Sequence, residues 1–304
     1  MNGTALRSAV GNRRMERFGI IGFGEVGGIF ARDLVAAGAQ VAAYDVAPAA
    51  QARAEAAGFA AVSAQAAARG AATVVVSVTA GSALDAIRSL RGGLSHRPFV
   101  LDVNSVSPAA KQTAAGIIEA AGGRYVEAAV MTSVPPKGLR SPMLLGGPHA
   151  AAFMAAMAPF GMDVTDYSPD IGRASSVKMC RSVMIKGLEA LTTECLLAAR
   201  HYGVEDDVLR TLGDTLPHPD WPGLARYVIS RALIHGKRRA EEMREVARTV
   251  EEAGLEPLLS RAIAERQDWA WRQGAAMGEA RNLPTLKPLL DALTTAHRLP
   301  KAAE

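Results

Sequence analysis

The feature that most restricts this chain is a glycine-spaced turn, Gly22-Phe23-Gly24-Glu25-Val26-Gly27, set between an apolar run at Phe18 to Gly22 and a helical pattern at Val26 to Ala37. The hexapeptide alone is weak, but between a strand and a helix it carries a mechanism. The first glycine permits the tight turn, the second lets a pyrophosphate approach the backbone, and the third lets helix and strand pack closely. The helix N-terminus then offers N–H groups and a positive dipole to phosphate. The next strand, Gln40 to Tyr44, runs into Asp45, 18 residues beyond Gly27 (45 − 27). An acid near that distance accepts from the ribose hydroxyls and repels a 2′-phosphate. The set implies a nicotinamide dinucleotide, NAD rather than NADP, held by Gly22, Phe23, Gly24, Glu25, Val26, Gly27 and Asp45. Stripped of its context, the same turn is an ordinary strand-to-helix connection with a solvated aspartate.

Strand and helix patterns keep alternating. Ala52 to Ala57 is helical, Ala60 to Val62 a short strand, Gln65 to Arg69 a short helix, and Thr73 to Val78 a β-branched strand. Ser82 to Arg91 is helical, Phe99 to Asp102 a strand, Pro108 to Ala121 a helix, and Tyr125 to Val130 a strand. Two more strand candidates, Met143 to Leu145 and Asp163 to Tyr167, flank a helix at His149 to Met157. The alternation predicts an α/β fold: an N-terminal Rossmann domain, a doubly wound parallel sheet, over 17–173. From about Ser175 onward only helical periodicity remains, with breaks near Gly203, Gly213 to Gly223, Gly254 to Pro257 and Gly274 to Pro288. An all-helical C-terminal domain is expected over 174–304, its first helix, Ser175 to Tyr202, joining the two. Residues 1–16 are expected to form a disordered extension, with Met15 as an alternative start.

Of the 304 residues, 49% are hydrophobic and 21% charged, the balance of a globular chain rather than a disordered one. The 34 basic residues are dispersed among 30 acidic ones, and the densest basic run, Lys237-Arg238-Arg239, lies in an acidic helical stretch. Nucleic-acid binders gather their basic residues on one face, so no nucleic-acid partner is expected. Cys180 and Cys195 fall in one helix about 22 Å apart, too far to bridge, which suits a reducing compartment. The six histidines show no ligand spacing and there is no C-x-x-C pair, so no metal is expected. Residues 1–15 lack an apolar core of signal-peptide length, and no apolar run approaches ~18 residues. The expectation is a cytoplasmic protein without a membrane partner.

Beyond the glycine turn and Asp45, three segments over about residues 17–255 resemble the β-hydroxyacid dehydrogenase family, which includes 3-hydroxyisobutyrate and 6-phosphogluconate dehydrogenases. Asp102-Val103-Asn104-Ser105-Val106-Ser107-Pro108 is similar to the family's D-x-S-T-x-x-P at the nicotinamide side of the cleft. The resemblance brings Val78, Thr79, Asn104 and Ser105 into the cofactor set. Glu127-Ala128-Ala129-Val130-Met131-Thr132-Ser133 stands where the family has D-A-P-V-S-G-G, a substrate-pocket segment. It marks Met131, Thr132 and Ser133 as substrate-binding candidates. Gly172 to Arg181 resembles the G-x-x-x-x-x-K-x-x-N segment that opens the interdomain helix, and puts Lys178 in the place of the catalytic lysine. The departures are Met131-Thr132-Ser133 for Ser-Gly-Gly, Arg181 for the asparagine, and no clear match to a later K-D-L. Lys178-Met179-Cys180-Arg181-Ser182 instead resembles a 6-phosphogluconate-dehydrogenase-like branch that carries a domain of unknown function at its C-terminus.

Alcohol oxidation needs a base for the hydroxyl proton while the hydride leaves, and a lysine serves if its surroundings favour the neutral amine. On a helix, Arg181 and Ser182 fall at i+3 and i+4 from Lys178, and Glu189 returns near the same face. Arg181 is therefore a candidate grip for a substrate carboxylate, with its like charge favouring neutral Lys178, and Ser182 a further substrate contact. By spacing alone, Lys178 and Arg181 are solvated charges on an exposed helix turn. The expected activity is hydride transfer between the nicotinamide and a small, acidic hydroxy acid, or a related alcohol or carbonyl. Two other readings stand beside it: an imine or ketone reductase on the same plan, and a non-catalytic NAD-binding sensor. The resemblance also implies a homodimer built through the helical domain.

Overall fold

In the computed structural model, which describes residues 16–61, 63–216 and 218–298, the chain divides into two compact units within one long helix, at Lys178 and Met179. The expected N-terminal extension lies outside the described residues except for Glu16, whose carbonyl accepts from Gln40 N.

The first unit is built on seven strands: β1 (Arg17–Ile21), β2 (Gln40–Tyr44), β3 (Thr73–Val76), β4 (Phe99–Asp102), β5 (Arg124–Val130), β6 (Met143–Gly146) and β7 (Val164–Ser168). Six helices join them: α1 (Glu25–Ala36), α2 (Pro48–Ala56), α3 (Ala64–Ala68), α4 (Ala83–Ser89), α5 (Pro108–Ala120) and α6 (Ala150–Met157). The strand order is β2-β1-β3-β4-β5-β6-β7. Side chains alternate between two cores, because strand neighbours point to opposite faces. Val75, Leu101 and Val126 join Phe30 and Phe153 in one, while Val74, Val100 and Tyr125 join Ile87 and Ile118 in the other. Covered on both faces, β3 and β4 are buried throughout, which is why they read as unbroken apolar runs.

The doubly wound sheet expected from the sequence is parallel at every pairing but one. β6 pairs antiparallel with β5, Glu127 opposite Gly146 and Val130 opposite Met143. The link from Val130 to Met143 holds only a short 3-10 turn at Gly138–Arg140, too little for the crossover helix that a parallel return needs. The strand expected at Ala60 to Val62 reduces to a single bridge from Ala60 to Ala43, with Val62 outside the described residues. β3 stops at Val76, two residues before its expected end, so Ser77 and Val78 run on past the sheet edge.

After α7 (Arg173–Tyr202) come α8 (Glu205–Thr215), α9 (Trp221–Glu252), α10 (Leu258–Met277) and α11 (Leu286–Arg298), and the second unit is all-helical among its described residues. Its core joins Leu196, Leu209, Ile229, Leu233, Ala270 and Leu289. α9 and α10 approach backbone to backbone: a Cβ at Gly236 would stand 2.3 Å from Gln267 O, and one at Gly274 2.3 Å from Leu233 O. No helix among the described residues is long and apolar enough to cross a membrane.

Candidate active site

The strand order reverses between β1 and β3, and in sheets of this kind ligands settle at the carboxyl ends of strands on either side of such a reversal. The glycine turn lies there. Gly22 has φ +93, and a Cβ on it would stand 2.1 Å from Ser77 O. A Cβ on Gly27 would stand 1.9 Å from Gly22 O, so the third glycine sits against the turn itself. Gly24 differs: nothing lies within 4 Å of where its Cβ would be. It is also the residue before α1, which receives no side-chain cap. Open space above uncapped N–H groups is what a pyrophosphate requires.

Asp45 joins the turn to β2. Its Oδ2 accepts from Phe23 N at 2.7 Å and its Oδ1 from Ala47 N at 2.8 Å, while each oxygen keeps lone pairs for a ribose hydroxyl. Glu25 and Gly24 are exposed, Val26 half-buried and Phe23 buried. On the other side of the reversal, Asn104 Oδ1 accepts from Val78 N at 2.7 Å, tying the ends of β3 and β4 together. That bond directs Asn104 Nδ2 away from Val78, and this buried donor has no partner among the described residues. A buried donor left unpaired costs about 1–3 kcal/mol, so it marks a place for an acceptor from outside the chain. Thr79 is exposed and Ser105 half-buried beside it. The residues present fit a dinucleotide in kind: open backbone at Gly24, a carboxylate with spare lone pairs at Asp45, and a buried amide donor at Asn104 with no partner among the described residues.

Buried ionic and polar groups brace the Asn104 loop. Lys111 Nζ meets Asp102 Oδ1 at 3.1 Å and the Asp102 carbonyl at 2.8 Å, with both side chains 1% exposed. The Tyr125 hydroxyl donates to Asp102 Oδ2 at 2.7 Å, and Asn104 N to Oδ1 at 2.9 Å. Burial, and then the Asp102 charge, push the Tyr125 hydroxyl well above its ordinary range. Sequence reasoning missed this cluster. Its available signal was Lys111, a lysine on the α5 stripe otherwise made by Ala114 and Ile118.

Glu127 opens the segment that resembles the family's substrate-pocket stretch, and sequence reasoning gives it no role of its own. It is fully buried, and its oxygens accept from Gly172 N and Ser175 N, each at 2.6 Å, at the start of α7. A carboxylate at a helix N-terminus is favoured by the dipole and by the unsatisfied N–H groups. Lys178 is half-buried, in the second turn of the same helix. Arg181, further along it, is exposed. Ser182 is buried, and its hydroxyl accepts from Lys186 Nζ at 3.0 Å, with Lys186 also paired to Glu242 at 2.9 Å. Glu189 is held by Arg239 at 2.6 Å and Gln267 at 3.0 Å; burial raises its carboxyl against those partners. Met131 is half-buried, its N–H donating to Pro142 O at 2.9 Å, while Thr132 and Ser133 are exposed.

Comparison with known proteins bears on this arrangement directly. Residues 17–158 match the NAD binding domain of 6-phosphogluconate dehydrogenase, and residues 199–270 match a domain of unknown function, DUF1932. A conserved hypothetical protein from Sinorhizobium meliloti 1021 is 35% identical, covers 93% of this chain with 97% of its own, and superposes with a TM-score of 0.69. A conserved protein of unknown function, described as structurally similar to 3-hydroxyacid dehydrogenases, is 32% identical over 85% of this chain and 99% of its own, TM-score 0.64. The 3-hydroxyisobutyrate dehydrogenase of Mycobacterium tuberculosis shares the fold at 16% identity, over 94% of this chain and all of its own, TM-score 0.66. The chain thus belongs to the 3-hydroxyacid dehydrogenase-like family in which the NAD binding domain of 6-phosphogluconate dehydrogenase is followed by this domain of unknown function.

Proposed function

We propose that this chain is an oxidoreductase that uses NAD to transfer a hydride to or from a small hydroxy acid, or a related alcohol or carbonyl, with Lys178 as general acid–base. The observation that carries the reading is the lysine itself: it is half-buried on a helix anchored to the sheet that holds the dinucleotide cradle. A binding module needs the cradle but has no use for such an amine. Bound in the cradle, the nicotinamide supplies the hydride acceptor or donor. Lys178 Nζ takes the hydroxyl proton in oxidation and returns it in reduction. Arg181 is assigned the grip on a substrate carboxylate through its planar fork, and Met131, Thr132 and Ser133 are assigned as further substrate contacts. Asp45 favours NAD, since a 2′-phosphate would meet its carboxylate. The exposed apolar residues Met184, Ile185, Leu188 and Leu191 on α7 support a homodimer.

The test is NADH formation by the wild-type protein over a panel of hydroxy acids, sugar acids and simple alcohols, with Lys178→Ala alongside. Turnover on a hydroxy acid that falls by about 100-fold or more in the variant is the expected result. Full turnover in Lys178→Ala removes the lysine from the chemistry. Tight NADH binding with no turnover on any compound, in either direction, leaves a sensor instead of an enzyme.

A further inference from the structure

Both oxygens of the fully buried Glu127 carboxylate accept from backbone N–H groups 45 and 48 residues away, Gly172 N and Ser175 N. Helices ordinarily take their cap from the residue just before them. Here that residue is Gly172, with φ +102 and no side chain to offer. Ser175 and Ser176 do not replace it, because both hydroxyls donate to the Gly172 carbonyl. The anion at the N-terminus of α7 therefore comes from the middle of β5. The neighbouring strand leaves it room: a Cβ on Gly146 would stand 2.5 Å from Glu127 Oε2.

Lys178 follows five residues after Arg173, the first residue of α7 (178 − 173), and shares a compact unit with Glu127. A helix is rigid over so short a length, about 7.5 Å at ~1.5 Å per residue. Two bonds to its first turn thus set both the rise and the rotation of Lys178 relative to β5. From this we infer that Glu127 is a positioning residue, which places the Lys178 amine by capping α7 from the sheet. The inference rests on the reading of Lys178 as the proton-transfer group.

Two variants of the full chain test it. Glu127→Gln turns one acceptor into an amide donor that opposes a backbone N–H. Glu127→Asp keeps the charge but withdraws it by one methylene, about 1.5 Å. The first readout needs no substrate: competitive acetylation of the lysines with trace acetic anhydride across neutral to alkaline pH, measured by mass spectrometry. In both variants the Lys178 labelling rate at a given pH changes by about threefold or more, on the scale of a small geometric displacement. The exposed Lys237 and Lys287 label as in wild type, and NADH affinity does not move. With a turned-over substrate, kcat falls about 10- to 100-fold while KM for NAD stays put. Unchanged Lys178 labelling in a folded Glu127→Asp overturns the inference alone, and this variant remains decisive if Glu127→Gln does not fold. Wild-type turnover in Lys178→Ala overturns the reading beneath it, and the inference with it.

Discussion

Asp102 gathers three side-chain or backbone donors within 3.1 Å, from Lys111, Tyr125 and Asn104 N. Of these, Tyr125 gives the sharpest handle on pH. Its hydroxyl stays protonated in the folded chain well above its ordinary value, through burial and then through Asp102. In the unfolded chain it ionises near pH ~10, so above that pH the unfolded state holds fewer protons. Stability from this group is then whole below about pH 10 and is lost as pH rises further. Tyr125→Phe is expected to cost about 1.5–3 kcal/mol near neutrality, because Asp102 loses a donor, and the gap to wild type narrows above about pH 10. Urea unfolding at pH ~8 and ~10.5 measures both; a gap that does not narrow means the hydroxyl ionises as readily folded as unfolded. Asp45 was legible in the sequence because its spacing from the glycines is set by one helix and one strand. The partners of Asp102 and Glu127 were not. Tyr125 and Gly172 lie 23 and 45 residues from the groups they meet, and no local pattern encodes contacts made through the sheet.

At the scale of elements, the turn between β1 and α1 separates two effects that sequence motifs merge. Gly27 packs against the turn, whereas Gly24 faces open space. Gly24→Val is expected to leave thermal stability within a few degrees of wild type, about 1 kcal/mol at most, while NADH binding is lost because the new side chain occupies the pyrophosphate's place. Gly27→Val is expected to lower stability and binding together, since its Cβ meets Gly22 O. Calorimetry with NADH titration distinguishes them, and equal melting temperatures for the two variants contradict the assignment. Most elements were readable from period alone, since β3 and β4 are covered on both faces and α1 on one. The direction of β6 was not. Periodicity reports which side chains are buried and says nothing of which way a strand runs; only the brevity of the Val130 to Met143 link held that information.

For the whole molecule, α7 runs 30 residues and presents Leu191, 68% exposed, with Leu188, Ile185 and Met184 beside it. Single exposed apolar residues are ordinary, but a run at helical spacing is not. The proposed homodimer predicts a sedimenting species of twice the chain mass, shifted towards monomer by the double variant Leu188→Glu, Leu191→Glu. A monomeric wild-type chain removes that prediction without touching the cradle. The cap on α7 also has a consequence in time. An N-terminus that borrows its carboxylate from β5 has nothing to complete its first turn until that strand has joined the sheet, so this end of the helix is a late arrival in folding. Once closed, the Gly172 and Ser175 amides face a buried carboxylate instead of water, and their hydrogens should exchange with deuterium only when the sheet itself opens.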